Sequence, residues 1–137
     1  MARAARVLAA VIAGAGVWAV LWLIGTRGAQ AAWPNLVIPD QPLVHTGILL
    51  SYIGYSVVLS ILAGFVAAAA AGSRPMLPVW ILAGLQLTLG VLAEVSYWSL
   101  MPVWYHVVFL ALIAPATVYG GWLRARWGSA VVSSPLS

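Results

Sequence analysis

Four long apolar runs, separated by short polar or proline-containing stretches, organise this chain. The first, residues 7–24, carries no charge and follows Arg3 and Arg6. The second covers 46–72 and stops at Ser73-Arg74-Pro75. The third covers 79–98, with Pro78 suited to the first turn of a helix. The fourth covers 103–122 and ends before Arg124 and Arg126. A helix rises about 1.5 Å per residue, so roughly 20 apolar residues cross about 30 Å of hydrocarbon. The runs are continuously apolar and lack the period-two alternation of barrel strands. No repeat at a fixed period is present. The pattern predicts an all-α fold: an integral membrane bundle of four transmembrane helices, forming a single domain over residues 1–137.

The connections are read the same way. Residues 25–45 form the longest loop, containing Gly25-Thr26-Arg27-Gly28 and then Pro34, Pro39 and Pro42, which oppose a regular helix. Residues 99–102 are a short turn. The tail 123–137 ends in small and polar residues and is expected to be disordered.

Composition sharpens this picture. The chain is 64% hydrophobic and 6% charged, whereas soluble domains are about a quarter charged. So few charges could not cover a water-exposed surface, and the apolar excess calls for lipid as solvent. The basic residues are all Arg and sit at the ends of the runs, as in membrane proteins, so the basic balance is no argument for nucleic acid. Arg3, Arg6, Arg74, Arg124 and Arg126 fall on the side of the termini, and Arg27 alone on the other. The positive-inside rule then places both termini in the cytoplasm. All-Arg usage with abundant Ala and Gly suggests a GC-rich bacterial genome, hence a multi-pass protein of a bacterial inner membrane. No cysteine is present, which excludes disulfides, thiolate metal sites and iron–sulfur clusters.

Residues 1–31 also fit a second reading, a signal peptide. Arg3 and Arg6 make a basic start, an apolar run follows, and Ala29-Gln30-Ala31 is an A-x-A pattern. Against it, the run exceeds the usual signal length, and Arg27 intervenes.

Small residues recur on the second run at Ser56, Ser60, Gly64, Ala68 and Gly72, every fourth position. Such a row lets a neighbouring helix approach closely. Packing within the bundle is the expected use, and a homodimer seam is the alternative. Aromatic residues gather at the run ends: Tyr97, Trp98, Trp104 and Tyr105 around one turn, Trp80, Trp122 and Trp127 on the opposite side. Interfacial anchoring accounts for them. Trp18 and Trp22, inside the first run, do not fit that role. Pro115 lies within the fourth run, where it removes a backbone donor and favours a kink.

The residues with chemistry are few. Glu94 is the sole acidic residue inside a run, and His45 and His106 begin the second and fourth runs at similar depth. Gln86 and Gly90 continue the helical face of Glu94, extended by Tyr97 or Trp98, and Leu49, Tyr52 and Ser56 continue that of His45. Ionisable groups in hydrocarbon usually face the interior and mark a site. The expectation is that His45, Glu94 and His106, with Gln86, Tyr52, Tyr97 and Trp98 as ligand-binding candidates, meet in a polar pocket in the outer half of the bundle. The competing reading is that each sits separately at the headgroup level.

Several chemistries suit that set. Two His side chains could ligate haem, and His with Glu could hold a divalent metal. A carboxylate could carry protons, or the pocket could hold the head group of a lipophilic small molecule such as a quinone. No nucleotide-binding, zinc-protease or nucleophile-elbow motif is present. Small multidrug transporters share the size and four-helix plan, but their essential Glu lies in the first helix, where this chain has no acid. Three function classes therefore stand: a small-molecule or cofactor site, serving an enzyme, a redox carrier or a lipophile-binding protein; an accessory subunit docking in a larger membrane complex through its small-residue face; and an oligomeric proton-coupled transporter.

Overall fold

The computed structural model describes residues 2–133, with side chains described as far as Trp127. Four α-helices, α1 (Ala2–Ala32), α2 (Thr46–Ala71), α3 (Met76–Ser96) and α4 (Val103–Ser133), form the bundle, with a 3₁₀ turn at Trp98–Leu100. Each is long and apolar enough to cross a membrane. No strand occurs among the described residues. The 33–45 loop and the α3–α4 turn lie at one end, here the loop end. The α2–α3 turn and the helical ends of α1 and α4 nearest the termini lie at the other.

α1 runs well past the expected end at residue 24, because Gly25 and Gly28 weaken a helix by only about 1 kcal/mol each and neither forbids it. Gly25 has a packing role: a Cβ there would fall 2.2 Å from the Tyr55 ring, whose hydroxyl donates to the Leu21 carbonyl. Thr26 Oγ1 donates back to the carbonyls of Trp22 (3.0 Å) and Leu23 (3.2 Å), its polar group absorbed by its own helix. The helix stops at Trp33-Pro34, where the proline ring restricts the residue before it. The A-x-A segment is thus helical, and Ala29 is buried in the core.

α4 also outlasts its expected end. Arg124 and Arg126 do not break a helix, and no Gly–Pro stop intervenes before Ser133. Residues 123–133 of the expected disordered tail are helical, and 134–137 lie outside the described residues. Arg126 stacks over Trp122 at 5.1 Å, and Trp127 packs on Phe65. α4 continues through Pro115. α3 ends at Ser96, so Tyr97 and Trp98 belong to the turn rather than to the helix.

α2 is the centre of the bundle, packing most extensively on α4, then on α1, while α3 bridges α4 and α1. Ser56, Ser60, Gly64 and Ala68 are all buried. A Cβ on Gly64 would fall 1.9 Å from the Thr117 carbonyl oxygen, and one on Gly120 would fall 1.9 Å from that of Ile61. The two backbones touch there, as membrane helices do where lipid offers no hydrophobic drive to pair. Gly72 has a different role from the rest of its row. It caps α2 at φ +81°, a conformation glycine adopts without strain, beside the Arg6 guanidinium. Arg6 Nε also donates to the Ala70 carbonyl at 3.3 Å.

Two core clusters divide the interior. One, at the loop end, contains Leu49, Ile53, Tyr105, Phe109 and Ile113. The other, nearer the termini, contains Val11, Ala63, Ala67, Val79 and Leu82. At the second cluster Gly14 of α1 meets Leu82 of α3 and the Ala63 carbonyl of α2 so closely that a Cβ would lie within 3 Å of either. Above that convergence, towards the loop end, α1 and α3 part.

Candidate functional site

The gap between α1 and α3 is a cavity of about 570 Å³. That volume lies in the ordinary range for small-molecule sites, roughly 300–1,000 Å³. Its floor is at Ala15 and Gln86, just above the Gly14–Leu82 convergence, and its roof is the segment Val37–Gln41. The roof is built by local rules. Gln41 N donates to the Ile38 carbonyl (3.2 Å) across a turn with Pro39 at its second position and Asp40, φ +61°, at its third. Pro there fixes φ, and Asp is among the few non-glycine residues that tolerate a left-handed φ. Leu43 N donates to the Leu100 carbonyl (2.8 Å), tying the roof to the α3–α4 turn.

One wall is aromatic. Trp18 and Trp22 stack at 5.2 Å, and Trp22 meets Tyr52 and Phe109 edge-on at 5.8 and 5.6 Å. Trp18 is fixed by donating its indole N–H to Ser60 Oγ (3.1 Å). The α3 side presents Leu85, Leu89 and Ala93; Leu89 lines the cavity while 55% exposed. The cavity is therefore open on the flank between α1 and α3.

Polar groups are set into these apolar walls at two levels. Near the loop end, Glu94 reaches the cavity and contacts His106 through Oε2 and Nδ1. His106 is fully buried, stacked on the Trp98 ring at 4.7 Å, and its Nε2–H donates to the Trp98 carbonyl at 3.3 Å. A carbonyl only accepts, so that bond fixes a proton on Nε2. A second proton then lies between Nδ1 and the carboxyl oxygen, and the Glu94–His106 pair is neutral overall whichever atom carries it. Glu94 Oε1 has no partner among the described residues. At the floor, Gln86 is 7% exposed and accepts from the Thr117 hydroxyl, which is shared with the Ile113 carbonyl. Gln86 Nε2 is buried with no partner among the described residues. A buried donor left unmade costs about 1–3 kcal/mol, so such groups call for an explanation.

The sequence-predicted residues divide accordingly. Glu94 and His106 are brought together; Gln86, Tyr52 and Tyr97 line the same cavity; and Trp98 supports His106 from behind. His45 is elsewhere. It is exposed, and its Nδ1 accepts from Ile48 N (3.3 Å) as the N-cap of α2, so a three-way meeting does not form. A position at the start of a helix offered capping as well as a site, and the unpaired N–H groups of the first turn claimed the ring. Among the described residues no group of three His, Asp or Glu could hold a metal. The two-His haem set meets the same difficulty, since His106 has both ring nitrogens engaged and His45 caps a helix.

Sequence reading missed Tyr105, Thr117 and Asp40. Tyr105 looks like an interfacial anchor beside Trp104, but it is 1% exposed, because it shares a helix face with Phe109 and packs with it in the core. Thr117 could be found as the one hydroxyl opposite a buried Gln, but only with the helix pairing known. Asp40 is signalled by Pro39-Asp40, a turn pattern whose position above the cavity depends on the fold. No family model, curated protein or solved structure matches the chain.

Proposed function

We propose that this chain is a multi-pass inner-membrane protein that binds an uncharged, lipophilic small molecule in the outer half of its bundle. The observation that carries this reading is the cavity itself: apolar and aromatic walls, open on the α1–α3 flank, with the Glu94 carboxyl set into them. An open flank between two spanning helices suits a ligand that arrives from the bilayer, as an amphipathic molecule would. The charge of the lining supports an uncharged head group. Asp40 lines the cavity, the Glu94–His106 pair adds no net positive charge and no Arg lines it, so an anion would find no compensating partner. The neutral Glu94–His106 pair offers hydrogen bonds, and stacked Trp18 and Trp22 offer a flat surface to a ring or chain. The Arg distribution supports a bundle oriented with both termini in the cytoplasm and the roof outside.

The small-residue row gives less support to an accessory role. Its members Ser56 to Ala68 are buried within the chain, Gly64 against α4 and Ser60 under Trp18 of α1, which leaves that face occupied.

The test is photolabelling in lipid nanodiscs with a long-chain alcohol carrying a mid-chain diazirine, beside the fatty acid of equal length. The alcohol should form adducts on Trp18, Trp22 and Leu89, displaced by excess plain alcohol, and the acid should do so several-fold less. Adducts confined to outward-facing Val20, Leu23, Leu92 and Val95 would refute a site in the cavity.

A further inference from the structure

The cavity has polar groups at both of its ends, and the pair at the loop end does not explain the one at the floor. Gln86 is the middle residue of α3, and Glu94 lies eight residues nearer the loop end, about 12 Å along the axis. Both line the same cavity. A head group held at Glu94 is too far away to satisfy Gln86. Yet Gln86 Nε2 is buried without a partner among the described residues, while its carbonyl oxygen accepts from the Thr117 hydroxyl. The wall between the two levels is apolar, formed by Trp22, Leu89, Phe109 and their neighbours.

We propose that the ligand is an elongated, uncharged molecule with a polar group at each end: one at Glu94, and an acceptor oxygen at the floor that takes the free N–H of Gln86. This rests on the reading of the cavity as a lipophile site and narrows its ligand class. An oxygen buried near the middle of a spanning helix would find no donor in hydrocarbon, so Gln86 discriminates for molecules that carry one. A lipid with a single polar end leaves Gln86 as it is.

The experiment compares two diazirine probes of equal length in nanodiscs, an α,ω-alkanediol and the matching mono-alcohol. The readout is the ratio of cavity adducts at Ala15, Trp18 and Trp22 to lipid-face adducts at Val20 and Leu92, which corrects for partitioning. The diol should exceed the mono-alcohol about five- to tenfold, the worth of one hydrogen bond to a buried donor. In Gln86→Met, which keeps the length of the side chain and removes the amide, the two probes should label alike, with an unchanged helical circular-dichroism spectrum and gel-filtration profile as the control for folding. Equal ratios in the native protein, as a bound water at Gln86 would give, overturn the two-ended ligand and leave the lipophile site standing. So does a diol preference that survives Gln86→Met. Labelling of the cavity by neither probe overturns both.

Discussion

Glu94 and His106 are each buried against the other, so losing one partner strands the second. Glu94→Leu leaves His106 Nδ1 without a partner in a fully buried ring, and His106→Leu takes from Glu94 Oε2 its only partner among the described residues. Each should cost about 1–3 kcal/mol. The double substitution removes both stranded groups and should cost less than the sum of the singles, by about 1 kcal/mol or more. Unfolding in mixed micelles measures the cycle, and additive losses would mean that the two side chains do not stabilise each other. His45 gives the contrast. Its ring is exposed, and His45→Asn, another capping residue, should leave stability within about 0.5 kcal/mol. The three residues look alike in sequence, since depth along a helix is legible there and the direction of a side chain is not. Glu94 and His106 flank one short turn and are bound to be near each other. His45 follows a long loop whose path the sequence leaves open.

At the scale of elements, glycines separate contact from tolerance. Gly64→Ala and Gly120→Ala place a Cβ against the facing backbone, which cannot yield as a flexible side chain can. Both should destabilise by about 1–3 kcal/mol, the usual cost of overpacking. Gly84→Ala meets nothing within 4 Å and should be neutral or gain up to about 1 kcal/mol from helix propensity. Thermal unfolding in detergent distinguishes them, and equal behaviour of Gly64 and Gly84 would contradict the α2–α4 seam. The four helices and their order were legible from hydropathy alone, because each exceeds the length a bilayer demands. Their ends were not. Charge and glycine at 25–28 and 124–126 look like stops, but a helix ends where proline or a cap forces it to, as at Trp33-Pro34 and Gly72. The row from Ser56 to Ala68 was readable as a packing face, and its partner became clear only when Gly120 and Gly121 were seen across from it.

For the whole molecule, the Arg distribution predicts which end faces the cytoplasm. Single cysteines at Asn35, in the loop, and Ser73, in the α2–α3 turn, should differ: an impermeant thiol reagent applied to intact cells should label the first and not the second. The reverse would invert the bundle and move the cavity to the cytoplasmic leaflet. The cavity was only half legible. Its polar residues could be listed, but its existence follows from the parting of α1 and α3 above Gly14, a property of packing that no run of residues announces. The central claim is that a lipophile occupies that gap, and filling the gap tests it most directly. Ala19 lines the cavity, and its neighbour Val20 is 58% exposed on the outer surface of α1. The decisive measurement is the yield of alcohol-probe adducts at Trp22 and Leu89 in nanodiscs for the native chain, Ala19→Trp and Val20→Trp. Ala19→Trp should abolish most of that yield while Val20→Trp leaves it near native. Equal yields from all three would show that the probe reaches those residues from the lipid face and that the cavity holds no ligand.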